Sequence, residues 1–387
     1  MVWTPGPLKA GRFLRKEATV SARVILILVV GLLVIFGLVM LFSTSGPQGE
    51  KIAHNPYYFV QRQAVWLAFG LVAAFVGARV DYHRWMKLAW PLLGLVVVLL
   101  VLVYVPHVGL TVKGSRRWLH LPLGLSFQPS ELAKFAAINA LAFWFGTKRR
   151  ERGGFVGGIA IPGAILGSML GLIVFETDFG ATILIGATGG LMMFVAGAPF
   201  LYLVPAGALA AGGLAWMIKQ NPERMARIMA FLHPEDYAQG EAFQLMNALY
   251  AFVAGGIGGA GLGQSLQKRF YLPEAHTDFI FAIIGEELGI AASIGVVGLF
   301  VVFLLCGIRI SGRAADVGGR LMAFGITILI TLQAAINIGV VTGRLPTKGL
   351  PLPFISFGGT SLVVTLFMTG VLLNVARQGG GRHRLRA

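Results

Sequence analysis

The sequence predicts an all-α polytopic integral membrane protein that forms a single membrane domain over residues 1–387. Only 12% of the residues are charged, whereas soluble domains carry roughly a quarter. Hydrophobic residues make up 56% of the chain, and the mean hydropathy is +0.77. Apolar stretches of roughly 17 to 25 residues, the length that crosses a hydrocarbon core, recur along the whole chain. No polar block is large enough to form a separate soluble domain.

The lengths of these apolar stretches predict about ten transmembrane helices. An even number of spans places both termini on one side of the membrane. The first stretch is too long for a secretory signal, and no convincing small-residue cleavage site accompanies it, which indicates an uncleaved first span. The predicted spans are 23–44, 60–79, 88–106, 129–146, 155–175, 179–197, 199–218, 279–306, 319–341 and 356–376.

Basic residues predict the orientation of these spans. Many of them lie in the segment 1–22, in the run at 148–152 and in the tail 377–387. Because loops retained in the cytoplasm are enriched in Lys and Arg, both termini are predicted to be cytoplasmic. This rule accounts for much of the net charge of +16, so no nucleic-acid partner is expected. The single cysteine, Cys306, excludes a disulfide within the chain.

Two segments on the opposite, extracytoplasmic side are more informative than ordinary connections. One covers 111–134, and the other is a large loop over 219–278 between the seventh and eighth spans. The large loop contains stretches with helix-like apolar spacing, which predict amphipathic segments at the membrane surface. Basic residues on this side oppose the topological bias, and an anionic substrate would explain them. They are Lys113, Arg116, Arg117, Lys134, Arg224, Arg227, Lys268, Arg269, Arg344 and Lys348.

Common cofactor motifs give no support for a nucleotide or a zinc ion. GIGGAG at 256–261 fits a dinucleotide-binding fingerprint letter for letter, but no parallel-strand unit precedes it. A glycine hinge beside a membrane helix is expected there instead. His233 and His276 could join nearby carboxylates around a hard metal ion. A divalent cation, Mg²⁺ or Mn²⁺, therefore stays open, and no metal ligands are assigned.

The densest group of titratable residues precedes the eighth span, in YLPEAHTDFIFAIIGEELG at 271–289. Asp278 lies at the mouth of that helix, where a carboxylate could cap amides or act as a general base. Glu286 and Glu287 follow, which in a continuous helix puts them about 12 to 14 Å deeper. Charge at that depth needs a partner, so a structural or coupling role is expected for at least one of them. His276 is open between tuning Asp278, binding substrate and being a surface polar residue.

Three longer segments carry a family resemblance: KGSRRWL…FQPSELAK (113–134), GLGQSLQKRFYLPEAHTDFIFAIIGEELG (261–289) and INIGVVTGRLPTKGLPLPFISFGGTSL (336–362). They closely resemble the SEDS family (shape, elongation, division and sporulation) of bacterial membrane proteins, in the family's order. The resemblance implies polymerisation of lipid II into glycan strands at the outer face of the cytoplasmic (inner) membrane. It implies a class B penicillin-binding protein as partner, and it places the family's essential aspartate at Asp278.

Parts of the second and third segments look more like the division branch of the family than the elongation branch. They are PEAHTDFIFAIIGEELG and LPTKGLPLPFISFGGTS. This implies a protein of the division septum that works with other division proteins. An elongation role stays as an alternative.

Several residues are candidates for binding the pyrophosphate of such a substrate. Arg116, Arg117 and Lys134 could supply charge-assisted hydrogen bonds. Lys134 shares one face of a helix with Glu131, so substrate binding by this pair and a local ion pair are both open. The helix is predicted to begin near Pro129. Lys348, in a loop rich in glycine and proline, is a further candidate, whereas Asp178, in a tight turn, is expected to cap a helix.

Two other classes of function stay open. A flippase that carries lipid II across the bilayer would use the glutamates predicted to lie deep in the membrane. A scaffold without activity would only recruit the cross-linking enzyme. Most of the charge that topology does not explain lies on the outer side, which favours chemistry there.

Overall fold

The computed structural model describes residues 10–112, 115–120, 126–148 and 153–385, and within these ranges the side chains from residue 22 to residue 379 except 112 and 270. Lys113, most of the basic run at 148–152 and the extreme ends of both predicted cytoplasmic segments lie outside the described residues. The helices are α1 Ala10–Ala53, α2 Tyr58–Arg79, α3 Tyr82–Lys87, α4 Ala89–Leu102, α5 Pro129–Thr147, α6 Ile161–Phe175, α7 Phe179–Val195, α8 Phe200–Lys219, α9 Pro222–Leu232, α10 Phe243–Gly255, α11 Ile280–Gly312, α12 Val317–Val341 and α13 Gly359–Leu385. The strands are β1 Gly109–Val112, β2 Ser115–His120 and β3 Ser126–Phe127. Two π-helical turns cover Val156–Ala160 and Gln267–Tyr271.

Each of the ten predicted spans coincides with a helix of this structure. In the part of the chain that is described, seven helices are long and apolar enough to cross a membrane: α1, α2, α6 with its π-helical turn, α8, α11, α12 and α13. The helices α4 and α7 are apolar but shorter, with 14 and 17 residues. The architecture is therefore that of a multi-pass helical membrane protein, and ten spans stay a prediction. The large predicted loop contains α9 and α10.

The prediction of an all-α fold is wrong for residues 109–112, 115–120 and 126–127. They form a three-stranded antiparallel sheet in the order β1-β2-β3. The pairing of Val112 with Ser115 closes the first hairpin. Val, Thr, Trp and Leu recur in this stretch, and branched and aromatic side chains favour strands. The register shifts between Leu110, which pairs with Trp118, and Thr111, which pairs with Arg116, so Arg117 is the extra residue of a β-bulge.

Glycine contacts hold the helices of the bundle close together. A Cβ on Gly77 in α2 would lie 2.7 Å from the carbonyl oxygen of Phe367 in α13, and one on Gly370 would overlap the carbonyl of Ala74. Small residues of this kind let membrane helices approach closely. The side chains of α5 are almost all buried, whereas α8 has no buried residue. The centre of the bundle therefore lies near α5, and α8 lies at its periphery.

The helix α11 is broken at Gly289, whose φ of 78° and ψ of 179° are not helical. This backbone conformation is essentially restricted to glycine. Three backbone hydrogen bonds of 2.9 to 3.0 Å join residues 286–290 to the glycine-rich segment 256–261. These bonds satisfy backbone groups that the break takes out of the helical ladder. The segment predicted as a hinge lies beside a membrane helix, and it is fastened to that helix.

The break changes the depth expected for Glu287. Ala22 and Arg309 line a small cavity at one end of the bundle. This end is called here the basic end. From residue 22, α1 rises roughly 30 Å to Ser43, whose hydroxyl donates to Glu287 Oε2 at 2.6 Å. The part of α11 from Ile290 to Arg309 covers about 28 Å by the same rise. Either distance matches the roughly 30 Å thickness of a hydrocarbon core, so Glu287 lies at the far end of the spans.

Asp278 lies at that same far end, called here the Asp278 end. Its carbonyl accepts a hydrogen bond of 2.8 Å from Asn337. Asn337 stands roughly 26 Å along α12 from Arg320, which is bonded to Ser311 near the basic end. The residues 280–287 are all buried, so this part of α11 crosses the protein interior. The prediction that the two glutamates lie 12 to 14 Å deeper than Asp278 is wrong, because the segment 280–288 that precedes the break runs across the bundle at the Asp278 end and not along the spans.

Candidate active site

Asp278 stands just before α11, beside the loop that joins α12 to α13 (342–358, the α12–α13 loop). The N-cap of α11 is Phe279, which makes no side-chain cap hydrogen bond, and the capping and base alternatives for Asp278 both stay predictions. Asp278 is half-buried. A Cβ on Gly349 would lie 2.8 Å from Asp278 Oδ2, so the carboxylate faces bare backbone at that glycine. Lys348 is the preceding residue.

Two amide side chains on α12 hold the α12–α13 loop against the segment that carries Asp278. Asn337 Nδ2 donates to the carbonyl oxygen of Leu350 at 2.7 Å and to that of Asp278 at 2.8 Å. One turn earlier, Gln333 Nε2 donates to the carbonyl oxygen of Pro351 at 2.8 Å. These two residues were missed by the sequence reasoning. Polar side chains in an apolar helix were the signal that could have found them.

His276 is part of the same junction and is not a surface residue. Its side chain is buried, and its ring centroid lies 4.4 Å from that of Phe59. Its carbonyl accepts from the amide of Phe357 at 3.0 Å, and Ser356 Oγ donates to the carbonyl of Thr277 at 2.6 Å. The surface alternative for His276 is therefore wrong. Its predicted roles toward Asp278 or the substrate stay predictions.

Lys348 lies where a lysine could meet an anionic ligand near Asp278. Its side chain is half-buried, and burial lowers the pKa of its ammonium group. Its neighbour Gly349 is exposed. The α12–α13 loop therefore carries a half-buried cation one residue before the exposed glycine that faces the carboxylate of Asp278.

Lys134 and Glu131 form the local ion pair that was one of the two alternatives. Lys134 Nζ donates to Glu131 Oε1 at 2.7 Å and to Gln333 Oε1 at 2.9 Å. Lys134 is only 1% exposed. In this structure the pair cannot touch a substrate at the surface, which corrects the substrate-binding alternative. The predicted helix start is correct, with Pro129 in the first turn, but periodicity did not reveal that α5 is buried on all sides.

Arg116 and Arg117 lie at the β-bulge of β2 and differ in exposure. Arg116 is exposed, whereas Arg117 is half-buried. Arg117 Nε donates to the carbonyl of Glu176 at 3.1 Å, and its Nη2 donates to the carbonyl of Thr177 at 2.7 Å. Its Nη1 lies 4.0 Å from Asp178 Oδ1. Arg117 therefore fastens the small sheet to the turn between α6 and α7, and Arg116 is the better placed of the two for an external ligand.

The turn between α6 and α7 contains a buried acid that sequence reasoning missed. Glu176 is 2% exposed, and in the described part of the chain neither carboxylate oxygen has a hydrogen-bond partner. Burial, and then the nearby Asp178, raise the pKa of Glu176 to about 8, against the opposing charge of Arg117. Asp178 Oδ1 accepts from the amide of Ala181 at 3.1 Å, which confirms the predicted helix cap.

Glu286 and Glu287 bind a neighbouring segment and are both buried. Lys268 Nζ lies 2.7 Å from Glu287 Oε1. Glu286 accepts from the hydroxyl of Ser265, and from the amide of Leu266 at 2.8 Å. These contacts fasten the segment before the second π-helical turn to α11, as the predicted structural role requires.

A metal site does not emerge among the described residues. No three His, Cys, Asp or Glu side chains there converge as metal ligands do. The divalent cation therefore stays a prediction without assigned ligands. No step of the reaction proposed below passes through one.

Comparison with known proteins places this architecture in a family. The model of the cell cycle protein family FtsW/RodA/SpoVE matches residues 23–380. The chain belongs to this family. The match covers every predicted span, the Asp278 end and the basic end.

Curated members of the FtsW/RodA/SpoVE family are similar over almost the whole chain. The probable peptidoglycan glycosyltransferase FtsW of Trichlorobacter lovleyi is 41% identical, covering 91% of this chain and 92% of that protein. The FtsW of Geobacter metallireducens, named in the same way, is 41% identical over 92% of this chain and 95% of its own. Stage V sporulation protein E of Bacillus subtilis is 39% identical over 92% and 97%.

Solved members of the FtsW/RodA/SpoVE family share the fold. One chain, from a structure on the coordination of polymerization and crosslinking by a peptidoglycan synthase complex, superposes with a TM-score of 0.75. It is 29% identical and covers 92% of this chain and 97% of its own. The rod shape determining protein RodA of Thermus thermophilus has a TM-score of 0.67 and 27% identity, covering 91% and 95%.

Proposed function

We propose that this protein is a peptidoglycan glycosyltransferase of the FtsW type, which polymerises lipid II into glycan strands. The names of its relatives support this activity, since they are probable peptidoglycan glycosyltransferases similar over most of the chain. The observation that carries the proposal is the position of Asp278, whose carboxylate faces the backbone at Gly349 beside a lysine. A carboxylate in such a place can accept a proton from a sugar hydroxyl.

The Asp278 end faces the outside of the cytoplasmic membrane in this proposal. Ten spans then cross the membrane, and both termini and the basic end are cytoplasmic. Support comes from the basic residues Arg23, Arg309, Arg313 and Arg320, which lie at or close to the basic end. The lipid chains of the substrate stay in the bilayer while its sugars and pyrophosphate reach the Asp278 end.

The proposed reaction joins two glycans linked to undecaprenyl pyrophosphate. A hydroxyl of the acceptor sugar attacks the anomeric carbon of the donor's muramyl sugar, and Asp278 takes the proton of that hydroxyl. A new carbon–oxygen bond forms as the bond from the anomeric carbon to the pyrophosphate breaks. The departing pyrophosphate is stabilised by cations on this face, for which Arg116 and Lys348 are the candidates.

The other predicted binding residues take supporting roles. Lys134 and Glu131 act from inside the bundle, because the ammonium group is held by Glu131 and Gln333. Arg117 orients β2, and thereby its exposed neighbour Arg116. Glu286 and Glu287 hold the large loop in place beside α11.

A class B penicillin-binding protein is the proposed partner, and the division septum is the proposed location. A chain of similar fold comes from a peptidoglycan synthase complex that couples polymerization to crosslinking, which supports such a partner. The FtsW names of the relatives support division over elongation. The flippase alternative loses its main argument, because the glutamates on which it depended lie near the Asp278 end.

An assay in detergent tests the proposal. The full chain, with and without a class B partner, is given lipid II, and the glycan products are sized on a gel. We expect long glycan from the parent and none from Asp278→Asn, which preserves shape but cannot accept a proton. Glu286→Gln and Glu287→Gln, assayed beside it, should still polymerise. Polymer from Asp278→Asn, or lipid II translocation in liposomes without polymer, would overturn the proposal.

A further inference from the structure

We propose that Asn337 is a positioning residue for Asp278 and that Gln333 assists it through the α12–α13 loop. The inference deepens the proposed function and rests on it. Neither amide touches the substrate. Their role is to fix the distance between the carboxylate of Asp278 and the loop that carries Lys348 and Gly349.

One nitrogen atom of Asn337 serves two separate chain segments. Its Nδ2 donates to the carbonyls of Asp278 and Leu350 at 2.8 and 2.7 Å. A primary amide has two N–H groups on one atom, so it can satisfy both carbonyls without a water molecule. Asn337 is 2% exposed, and this restricts the amide to that arrangement. The backbone of Asp278 and the backbone of Leu350 are therefore held to the same point.

The two hydrogen bonds of Asn337 restrain the reacting group, the carboxylate of Asp278. Leu350 follows Gly349, and Gly349 faces Asp278 Oδ2. Once the carbonyl of Asp278 is fixed, only its two side-chain torsions can move the carboxylate. The loop limits that motion on one side. A base whose position is set in this way needs little reorganisation when the acceptor hydroxyl arrives.

Gln333 extends the same restraint one helical turn away. Its Oε1 accepts from Lys134 Nζ at 2.9 Å, so its Nε2 must point the other way, to the carbonyl of Pro351 at 2.8 Å. The buried ion pair of Lys134 with Glu131 therefore has a consequence at the surface. It sets the orientation of Gln333, and Gln333 holds the loop residue that follows Leu350.

The chain offers a matched control in Asn374. This asparagine is also fully buried, and its Nδ2 donates to the carbonyl of Ala78 at 2.8 Å. Its Oδ1 accepts from the amide of Tyr82 at 3.1 Å. It thus makes two hydrogen bonds to the backbone, as Asn337 does, but to the single connection between α2 and α3 near the basic end. A purely structural loss should be similar in Asn337→Ala and Asn374→Ala.

The test compares Asn337→Ala, Asn374→Ala and Asp278→Ala in the full chain with its class B partner. Lipid II is the substrate, and kcat and KM are measured per folded molecule. We expect kcat of Asn337→Ala to fall about 100-fold with a nearly unchanged KM, the cost of a reacting group displaced by about 1 Å. Asn374→Ala should keep its kcat while losing comparable thermal stability. Equal kcat in the two asparagine variants overturns the inference.

The same assay separates this inference from the proposed function. If Asp278→Ala still polymerises, Asp278 is not the base and the proposed function fails. If Asp278→Ala is inactive while Asn337→Ala matches Asn374→Ala, the positioning inference alone fails.

Gly349→Ala keeps the inference testable if Asn337→Ala does not fold. Its new methyl group would lie 2.8 Å from Asp278 Oδ2 and must displace the carboxylate, while the exposed loop backbone tolerates alanine. The control is Gly358→Ala in the same loop, where the nearest neighbour is the Cβ of Ser361 at 3.5 Å. We expect kcat to fall at least about tenfold for Gly349→Ala only, with unchanged melting temperature. An active Gly349→Ala shows that the carboxylate needs no such restraint and overturns the inference.

Discussion

Two groups of buried carboxylates lie near the Asp278 end, and they differ in whether a cation or hydrogen-bond donors surround them. Glu287 has Lys268 at 2.7 Å and the hydroxyl of Ser43 at 2.6 Å. Glu286 accepts several hydrogen bonds from the segment that begins at Ser265. Glu176 is equally buried, yet in the described part of the chain its carboxylate oxygens have no hydrogen-bond partner. Its pKa is raised to about 8.

The difference shows the two ways in which an acid can be buried. A carboxylate stays charged in the interior only where a cation or several donors compensate for the lost water. Without them it keeps its proton, which is the case at Glu176 near neutral pH. Glu286 and Glu287 therefore connect α1, α11 and the large loop through an ion pair and hydrogen bonds. Glu176 is a neutral acid beside the guanidinium of Arg117, and its ionisation would change the charge of that turn.

The largest effect is expected from Lys268→Met. This change removes the counter-charge of Glu287 and leaves the carboxylate buried, which costs about 3 to 5 kcal/mol for a broken buried pair. The measurement is thermal unfolding in detergent. The double variant Lys268→Met with Glu287→Gln is the control, because it removes both charges and should recover most of the loss. If the single and double variants melt at the same temperature, the pair does not hold the loop.

A smaller effect with a characteristic pH dependence is expected from Glu176→Gln. The pKa of Glu176 is about 8 in the folded protein against a usual 4.5. Between these two pH values the unfolded chain loses its proton and the folded protein keeps it, so the parent loses stability as pH rises through this window. Glutamine does not titrate. The variant should therefore become more stable relative to the parent as pH rises from 5 to 8.5, by about 3 to 4 kcal/mol at the upper end.

The control for Glu176→Gln is Glu223→Gln, an exposed position on α9. It should follow the parent at every pH. A stability difference between Glu176→Gln and the parent that is the same at pH 5 and pH 8.5 would mean that Glu176 is already ionised, and the contrast with Glu287 would then disappear.

Sequence reasoning singled out Glu286 and Glu287 but not Glu176, for a physical reason. Glu286 and Glu287 stand out because two adjacent carboxylates interrupt an apolar run, and such charge needs a partner. The partner, Lys268, is 19 residues away, and no local pattern links the two. Glu176 lies at the edge of a span, where an acid is ordinary. Only the tertiary packing around it removes water and donors.

The same limit applies to the depth and exposure of other residues. The multi-pass helical architecture followed from hydropathy, because the bilayer requires a fixed apolar length, whereas the number of ten spans stays a prediction. The break at Gly289 did not follow from hydropathy, since a glycine in an apolar helix has many uses. Lys134 was expected near a surface because its charge suggested a ligand, and three-dimensional packing instead surrounds it. Asp278 was found because several polar residues cluster immediately before an apolar run.

A third prediction compares the contribution of the charge of Glu286 with that of its hydrogen bonds. Glu286→Gln keeps a carbonyl oxygen for the amide of Leu266 but loses the charge and the acceptor of the Ser265 hydroxyl, so we expect a loss of about 1 kcal/mol. Unfolding in detergent at pH 7 measures it. Glu286→Ala also removes the acceptor of the Leu266 amide and should lose more. If both changes cost the same, that acceptor contributes nothing, and the charge and the Ser265 hydrogen bond hold the segment.

The smallest expected effect concerns the backbone next to Glu176. Thr177 has a φ of 64°, which is unfavourable for a β-branched residue, and its hydroxyl lies 3.0 Å from that of Ser115. Thr177→Ala and Thr177→Gly both remove the hydroxyl, but only glycine relieves the backbone. At an ordinary position the glycine variant is the less stable of the two proteins. Here we expect Thr177→Gly to be more stable than Thr177→Ala by about 0.5 kcal/mol in thermal unfolding, because the relief of strain exceeds the entropy that glycine loses. The reverse order of stability would mean that the turn relaxes to a negative φ at residue 177. The carbonyl of this residue would then no longer accept from Arg117, and Glu176 would no longer be shielded from water.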